Sequence, residues 1–111
     1  MALTNSPDLL PGTLDLLILR TLRRDTLHGY AIAQRIKDAS EDVLQVGESS
    51  LYPGLQRLLA AGWVRAEWGA SDNNRRARFY TITAAGVKRL DAECAAYERM
   101  SAAIARVLQT A

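Results

Sequence analysis

The stretch ESSLYPGLQRLLAAG, residues 48–62, decides how the chain is read, because it describes a short amphipathic helix with an unusual outer face. At about 100° per residue, Leu51, Leu55, Leu58, Leu59 and Gly62 fall on one side. Ser49, Ser50, Pro53, Gln56, Arg57 and Ala60 share the opposite arc, with Tyr52 on the border. Small residues, hydroxyls, an amide and one guanidinium suit close approach to base edges and phosphates, whereas Lys and Glu would serve mere solubility. Soluble helices commonly have a polar face, so this segment alone leaves a recognition helix and an ordinary surface helix evenly matched. A helix starting near Ser49 puts Pro53 within its first turn, where a missing amide proton costs little, and makes Ser49 or Glu48 the cap. Gly54 is a weak point, costing about 1 kcal/mol against alanine.

The neighbouring segments supply the context. Upstream, residues 41–47 form a short connection containing Gly47, and residues 28–40 read as a helix. Tyr30, Ala33 and Ile36 make its inward stripe, Gln34, Arg35 and Lys37 face out, and Thr26 is a plausible cap. Two helices with a brief linker resemble a helix-turn-helix. Before them, residues 13–24 form a first helix with Thr13 as candidate cap and Asp15 suited to the helix dipole. Leu14, Leu16, Leu17, Ile18, Leu19 and Leu22 spread around most of its circumference, so it must be covered on several sides. Residues 1–7 carry no periodic pattern and are expected to form a loose arm.

Downstream, Gly62 ends the recognition helix and residues 63–68 alternate apolar and polar as a half-buried strand does. A second strand is expected over residues 77–82, and the intervening GASDNNRR is turn-forming and ends basic. Three helices followed by a hairpin with a projecting tip describe a winged helix, a mainly α fold with a small β-hairpin. From Thr83, the expected cap, a last helix runs to about Gln109. Val87, Leu90, Cys94, Tyr97, Ser101, Ile104 and Leu108 follow alternating steps of three and four, the heptad seam of a helix that packs along another helix. The domain core is already supplied by three helices and a hairpin, so dimerisation is the favoured reading of this seam. The expected organisation is a winged-helix part over residues 1–82 and a dimerisation helix over residues 83–111, in one compact unit.

Composition narrows the function. A net charge of +2, from 14 basic and 12 acidic side chains, is too small to argue nucleic-acid binding by itself, so the distribution matters more. Residues 63–82 hold four arginines against two acids, and Arg75, Arg76 and Arg78 crowd into four positions. A single cysteine forbids an internal disulfide and is compatible with a reducing cytoplasm. No apolar run approaches the roughly 18 residues of a membrane span, so a cytoplasmic protein is expected. One His and one Cys cannot make a typical zinc site, and neither a glycine-rich phosphate loop nor a nucleophile elbow is present. The chain is therefore read as a non-enzyme without metal or cofactor. His28 reads as a capping or packing residue and Cys94 as a small apolar seam residue.

His28-Gly29-Tyr30, Leu51-Tyr52-Pro53 with Leu55 and Leu58, Gly62-Trp63-Val64, and Arg78-Phe79-Tyr80 followed by Thr83 and Gly86 together resemble the PadR family of bacterial transcriptional regulators. The resemblance spans about residues 9–90 in one register, and the short tail resembles the smaller subfamily. It implies a winged-helix repressor that dimerises through its first and last helices and touches operator DNA with its third helix and wing. Carried onto this chain, the DNA-binding candidates are Ser49, Ser50, Tyr52, Pro53, Gln56 and Arg57 on the helix, with Asn74, Arg75 and Arg76 on the wing. The dimerisation candidates are Leu14, Leu17, Val87, Leu90, Cys94, Tyr97, Ile104 and Leu108. Gly54 and Phe79 stand where alanine and tyrosine are more often expected, and Gly54 is read as letting the backbone sit closer to DNA.

Arg57 suits guanine or a phosphate, Gln56 adenine, and the serines phosphate oxygens. Tyr52 is structural first and a phosphate contact second. The wing arginines repel one another and favour a polyanion nearby, through the minor groove or phosphates. The partners implied are double-stranded DNA, a second copy of the chain and a small aromatic effector. For the effector Tyr97 is the one candidate, beside Cys94, Met100 and Ser101, although plain seam packing is its stronger reading. A winged-helix module that binds proteins instead of DNA is the competing class.

Overall fold

The computed structural model describes residues 12–110, and the arm expected over residues 1–7 lies outside them. In chain order the elements are α1 (Thr13–Leu22), β1 (Leu27–His28), α2 (Gly29–Ala39), α3 (Glu48–Ala60), β2 (Val64–Ala70), β3 (Arg76–Ile82) and α4 (Ala84–Gln109). The fold is a winged helix extended by one long C-terminal helix. Ile18 and Leu19 of α1, Ile32 of α2, and Leu51, Leu55 and Leu58 of α3 form its fully buried centre. Burying each such side chain is worth about 1.5–3 kcal/mol. Leu14, Leu22, Ile36, Val64, Tyr80 and Leu90 complete the core, so α4 reaches it through Leu90.

The helix ends follow local chemistry and correct four sequence expectations. α1 ends at Leu22, two residues before the expected Arg24, and starts after Gly12 in the left-handed region (φ 86°), so Thr13 is not its cap. The cap of α2 is His28, whose Nδ1 accepts from the Ala31 amide at 3.3 Å, and Thr26 instead shares a hydroxyl bond with Thr81 at 2.9 Å. α3 begins at Glu48 after Gly47 with no side-chain cap, so neither Ser49 nor Glu48 plays that part. Pro53 consequently sits in the second turn, inside the helix, where it denies the Ser49 carbonyl its usual donor. Both residues are exposed, which lets water satisfy that carbonyl.

The inward stripe of α2 is also shifted. Gly29, Ile32 and Ile36 are buried, Ala33 is half-buried, and Tyr30 is 71 % exposed. The expected hairpin gains a third strand: β1 pairs antiparallel with β3 through Leu27 with Tyr80 and His28 with Phe79, giving the order β1-β3-β2. α3 closes as expected at Gly62 (φ 78°), where the Gly62 amide bonds the Leu59 carbonyl and the Trp63 amide the Leu58 carbonyl. That pair of bonds is a Schellman motif, and it aims the chain straight into β2.

Gly54 faces inward, against the expectation that it lies towards DNA. A Cβ there would stand 3.4 Å from Ile18 Cδ1 and 3.4 Å from Leu14 Cδ2, which is ordinary contact. Gly54→Ala is therefore expected to stabilise the protein by about 0.5–1 kcal/mol through helix propensity alone. A rise in the urea midpoint at unchanged slope checks it; a lower midpoint would mean that α1 and α3 are packed too tightly for a methyl group.

α1 is covered within one chain more completely than its sequence implies. Leu14, Ile18, Leu19 and Leu22 are buried, and Leu16 and Leu17 pack half-buried against the same core. α4 is capped as expected by Thr83, whose Oγ1 accepts from the Gly86 amide at 3.1 Å and donates to the Gly62 carbonyl at 2.7 Å. Its 26 residues span about 39 Å, most of the protein's longest dimension of 56 Å.

Candidate nucleic-acid interface

α3 presents Ser49, Ser50, Pro53, Gln56 and Arg57 on its exposed face, with Tyr52 43 % exposed at its edge. Tyr52 bridges two helices. A Cβ on Gly29 would meet its ring at 3.0 Å and its hydroxyl at 3.1 Å, so the ring lies close on the start of α2 and would have to give by a few tenths of an ångström for a larger residue there. Arg57 reaches back to α1, its Nη2 at 2.9 Å from Asp15 Oδ1. The guanidinium side chain is 57 % exposed, so this pair is worth at most about 1 kcal/mol and yields readily to a stronger anion.

The wing outruns the core. β2 and β3 pair in regular register from Val64 with Ile82 to Ala70 with Arg76, reaching two residues and one residue further towards the tip than the strands expected, while β2 starts at Val64 instead of Trp63. The remaining tip is short: the Ser71 amide bonds the Arg75 carbonyl and the Asn74 amide bonds the Ser71 carbonyl, both at 2.8 Å. Asn74 takes the left-handed conformation (φ 58°) that such a short hairpin loop needs, which its small polar side chain tolerates. Asn74 therefore shapes the tip, Arg75 stands on it, and Arg76 belongs to β3.

Register decides where the wing's side chains point. Val64, Ala66, Trp68 and Ala70 share one face with their partners Ile82, Tyr80, Arg78 and Arg76. At the base this face meets the core through Val64 and Tyr80, and further out it carries Trp68, 61 % exposed, with the Arg76 guanidinium 4.5 Å above its ring. On the other face Phe79 covers Gly69, whose Cβ would meet the ring at 3.1 Å, and packs edge-on against His28 at 5.5 Å.

Between the inner face of the wing, the start of α2 and Tyr52 of α3 lies an open groove of about 730 Å³. Arg75, Arg76, Arg78, Trp68, Tyr30 and Tyr80 line it, with Asp72 at the tip as its one acid among the described residues. Arg75, Arg76 and Arg78 form no ion pair among the described residues. Of the groove's lining, sequence reasoning counted Arg75, Arg76 and Arg78 together as wing arginines but gave Tyr30 and Trp68 no part in the interface. The parity of β2 places Trp68 on the same side as Val64, but only the length of the hairpin beyond the core reveals that this side is open.

Tyr80 closes the groove's floor. Burial raises its phenol above the usual value near 10, Arg78 opposes the rise, and Tyr52 adds to it. A phenol whose pKa is raised on folding contributes fully below the unfolded pKa, and that stability is lost as pH rises through the folded one. Stability is thus expected to fall above about pH 10, and Tyr80→Phe to flatten that fall. Denaturant midpoints measured across this range in both proteins check it; parallel curves would remove Tyr80 from the alkaline transition.

Among the described residues no helix is long and apolar enough to cross a membrane. Residues 18–92 match the model of the PadR-like family of transcriptional regulators. An uncharacterized protein of Lysinibacillus sphaericus is 32% identical over 79 residues, 71% of this chain and 72% of that protein. The structure of a transcriptional regulator from Clostridium thermocellum superposes with a TM-score of 0.78 at 26% identity, covering 86% of this chain and 92% of that one. Bacillus subtilis PadR, solved in complex with operator DNA, gives a TM-score of 0.67 at 25% identity over 78% of this chain and 48% of its own. With its winged-helix fold and a family match over more than half its length, the chain belongs to the PadR-like family of transcriptional regulators.

Proposed function

We propose that this protein is a transcriptional repressor that binds a pseudo-palindromic operator as a homodimer and is released by a small-molecule effector. The observation that carries the reading is the pairing of an exposed, nearly uncharged α3 face with three arginines unpaired among the described residues on the wing beside it. Such a surface offers short polar side chains to base edges and cations to phosphates. Bacillus subtilis PadR, similar in fold, is known in complex with operator DNA, which supports the same use here. In this reading Ser49, Ser50, Tyr52, Pro53, Gln56 and Arg57 enter or flank the major groove, and Asn74, Arg75 and Arg76 carry the wing to the backbone. The winged-helix part over residues 1–82 reads DNA in the cytoplasm and the helix over residues 83–111 pairs the protomers.

The proposed dimer surface lies on α4. Leu90 and Cys94 are spent on the chain's own core, with Val87 half-buried beside them, but beyond Cys94 the seam leaves the domain. Tyr97, Ile104 and Leu108 are 55 %, 46 % and 77 % exposed, and Met100 and Val107 widen the stripe. A second copy of the helix, with Leu17 of α1 at the edge, would bury it. Tyr97 is the aromatic of this seam, and an effector lodged beside it acts only by preferring a dimer spacing that misplaces the two α3 helices.

Gln56→Ala is expected to alter base preference. Arg75→Ala with Arg76→Ala is expected to weaken binding to all sequences and lower the salt slope by about 0.9 for each phosphate no longer neutralised. Footprinting on the promoter of the protein's own gene, followed by salt titration of the variants, tests this. A wing variant with unchanged affinity and slope would contradict the assignment.

A further inference from the structure

Arg57 differs from the arginines of the wing in having an ion-pair partner. We infer that Asp15, on α1 and outside the proposed DNA-binding surface, is a specificity-determining residue: it holds the Arg57 guanidinium ready for a base edge and withholds it from phosphates. The inference rests on the DNA-binding reading and adds to it a residue that acts only through Arg57.

Three observations carry it. Arg75, Arg76 and Arg78 form no ion pair among the described residues, whereas Arg57 Nη2 donates to Asp15 Oδ1 at 2.9 Å. The partners belong to different helices, and the Asp15 side chain is only 21 % exposed, so the carboxylate is a fixed anchor on α1. The route of the guanidinium is set as well. Its Nη2 stands 3.5 Å from where a Gly54 Cβ would be, so Arg57 lies back along α3 beside a residue without a side chain. The Arg57 side chain is nonetheless 57 % exposed, which leaves the rest of its N–H fork open to a ligand.

Phosphate and base edge compete differently for that fork. A phosphate is a full anion, and to take Arg57 it must displace the carboxylate and approach its negative charge. A guanine edge is uncharged and takes a bidentate pair of donors, which a planar guanidinium can supply while another N–H stays on Asp15. The carboxylate thus hinders the unspecific contact and helps the specific one, because a side chain already held in place loses less rotamer freedom on binding. A simple brace between α1 and α3 would use the same ion pair, but its loss would move affinity for every duplex together.

Affinity is measured for the duplex protected in footprinting and for a random duplex, in the wild type, Asp15→Asn, Asp15→Glu, Arg57→Ala and the Asp15→Asn variant of Arg57→Ala. Asp15→Asn is expected to strengthen random binding up to about fivefold, the worth of an exposed ion pair, and to weaken binding of the protected duplex. The ratio of the two should fall about tenfold. Asp15→Glu, which keeps the carboxylate, should restore most of that ratio. In the Arg57→Ala background Asp15→Asn should leave the ratio unchanged, since the two residues act as one unit. Thermal unfolding is followed alongside, and every ratio is read below the transition of the least stable variant. A ratio unmoved by Asp15→Asn, or moved equally without Arg57, would overturn the assignment and leave the DNA reading standing. An Arg57→Ala protein with wild-type discrimination would do the same. No footprint and no salt-sensitive duplex binding by the wild type would overturn both.

Discussion

Placing two negative charges on the distal seam of α4, Ile104→Glu with Leu108→Glu, is expected to abolish the proposed dimer and leave a folded monomer. The two positions are 46 % and 77 % exposed in one chain, so neither substitution disturbs the core. In the dimer both would be buried, and losing four such side chains across the two-fold axis removes roughly 6 kcal/mol or more of apolar burial before any repulsion is added. Association should weaken by at least about four orders of magnitude. Sedimentation at micromolar concentration should show single chains with native helix content. A persistent dimer would move the interface off this seam, and an unfolded chain would mean that α1 depends on its partner for cover.

Gly86→Ala is expected to be the most damaging single methyl group in the chain. Gly86 lies in the first turn of α4, where a Cβ would stand 2.1 Å from the Trp63 carbonyl oxygen and 2.7 Å from Ile82 Cγ1. Backbone cannot retreat as a side-chain end can. The same Trp63 carbonyl accepts the Thr83 amide at 3.0 Å, so moving it also strains the cap of α4. We expect a loss of at least about 3 kcal/mol, a large part of the stability of a domain this size. Urea unfolding measures it, and a loss under about 1 kcal/mol would mean that α4 shifts freely against β2 and β3.

These two sites also show what sequence can and cannot express. The start of α4 was legible because Thr83, three residues before Gly86, is a strong local signal, and β2 and β3 were legible because their alternation has period two. The close approach of Gly86 to Trp63 joins residues far apart in sequence, and no periodicity encodes it. β1 escaped because two residues carry no pattern; it exists because Leu27 and His28 lie beside β3. The misplaced stripe of α2 has a local cause. With His28 as cap, Gly29 is the first helical residue, and the small side packs under Tyr52 while Tyr30 turns to solvent.

The candidate interface was half legible. Residue types on α3 and in the wing suggested contact with a polyanion, yet the partner of Arg57 was invisible because Asp15 is 42 positions away. The periodic seam of α4 divides in two within the single chain. Leu90 and Cys94 face the chain's own core, and Tyr97 onward faces away from it. A heptad repeat reports that a helix is covered and says nothing of which chain covers it.

In the proposed function a two-fold dimer neutralises phosphates while two α3 helices read half-sites. Its most direct test is the binding of purified protein to a footprinted duplex and to one half-site of it, with stoichiometry and salt dependence measured together. The predicted result is two chains per full duplex, with log affinity falling linearly as log salt rises and the single half-site bound far more weakly. One chain per site, equal affinity for the half-site, or binding indifferent to salt would contradict it.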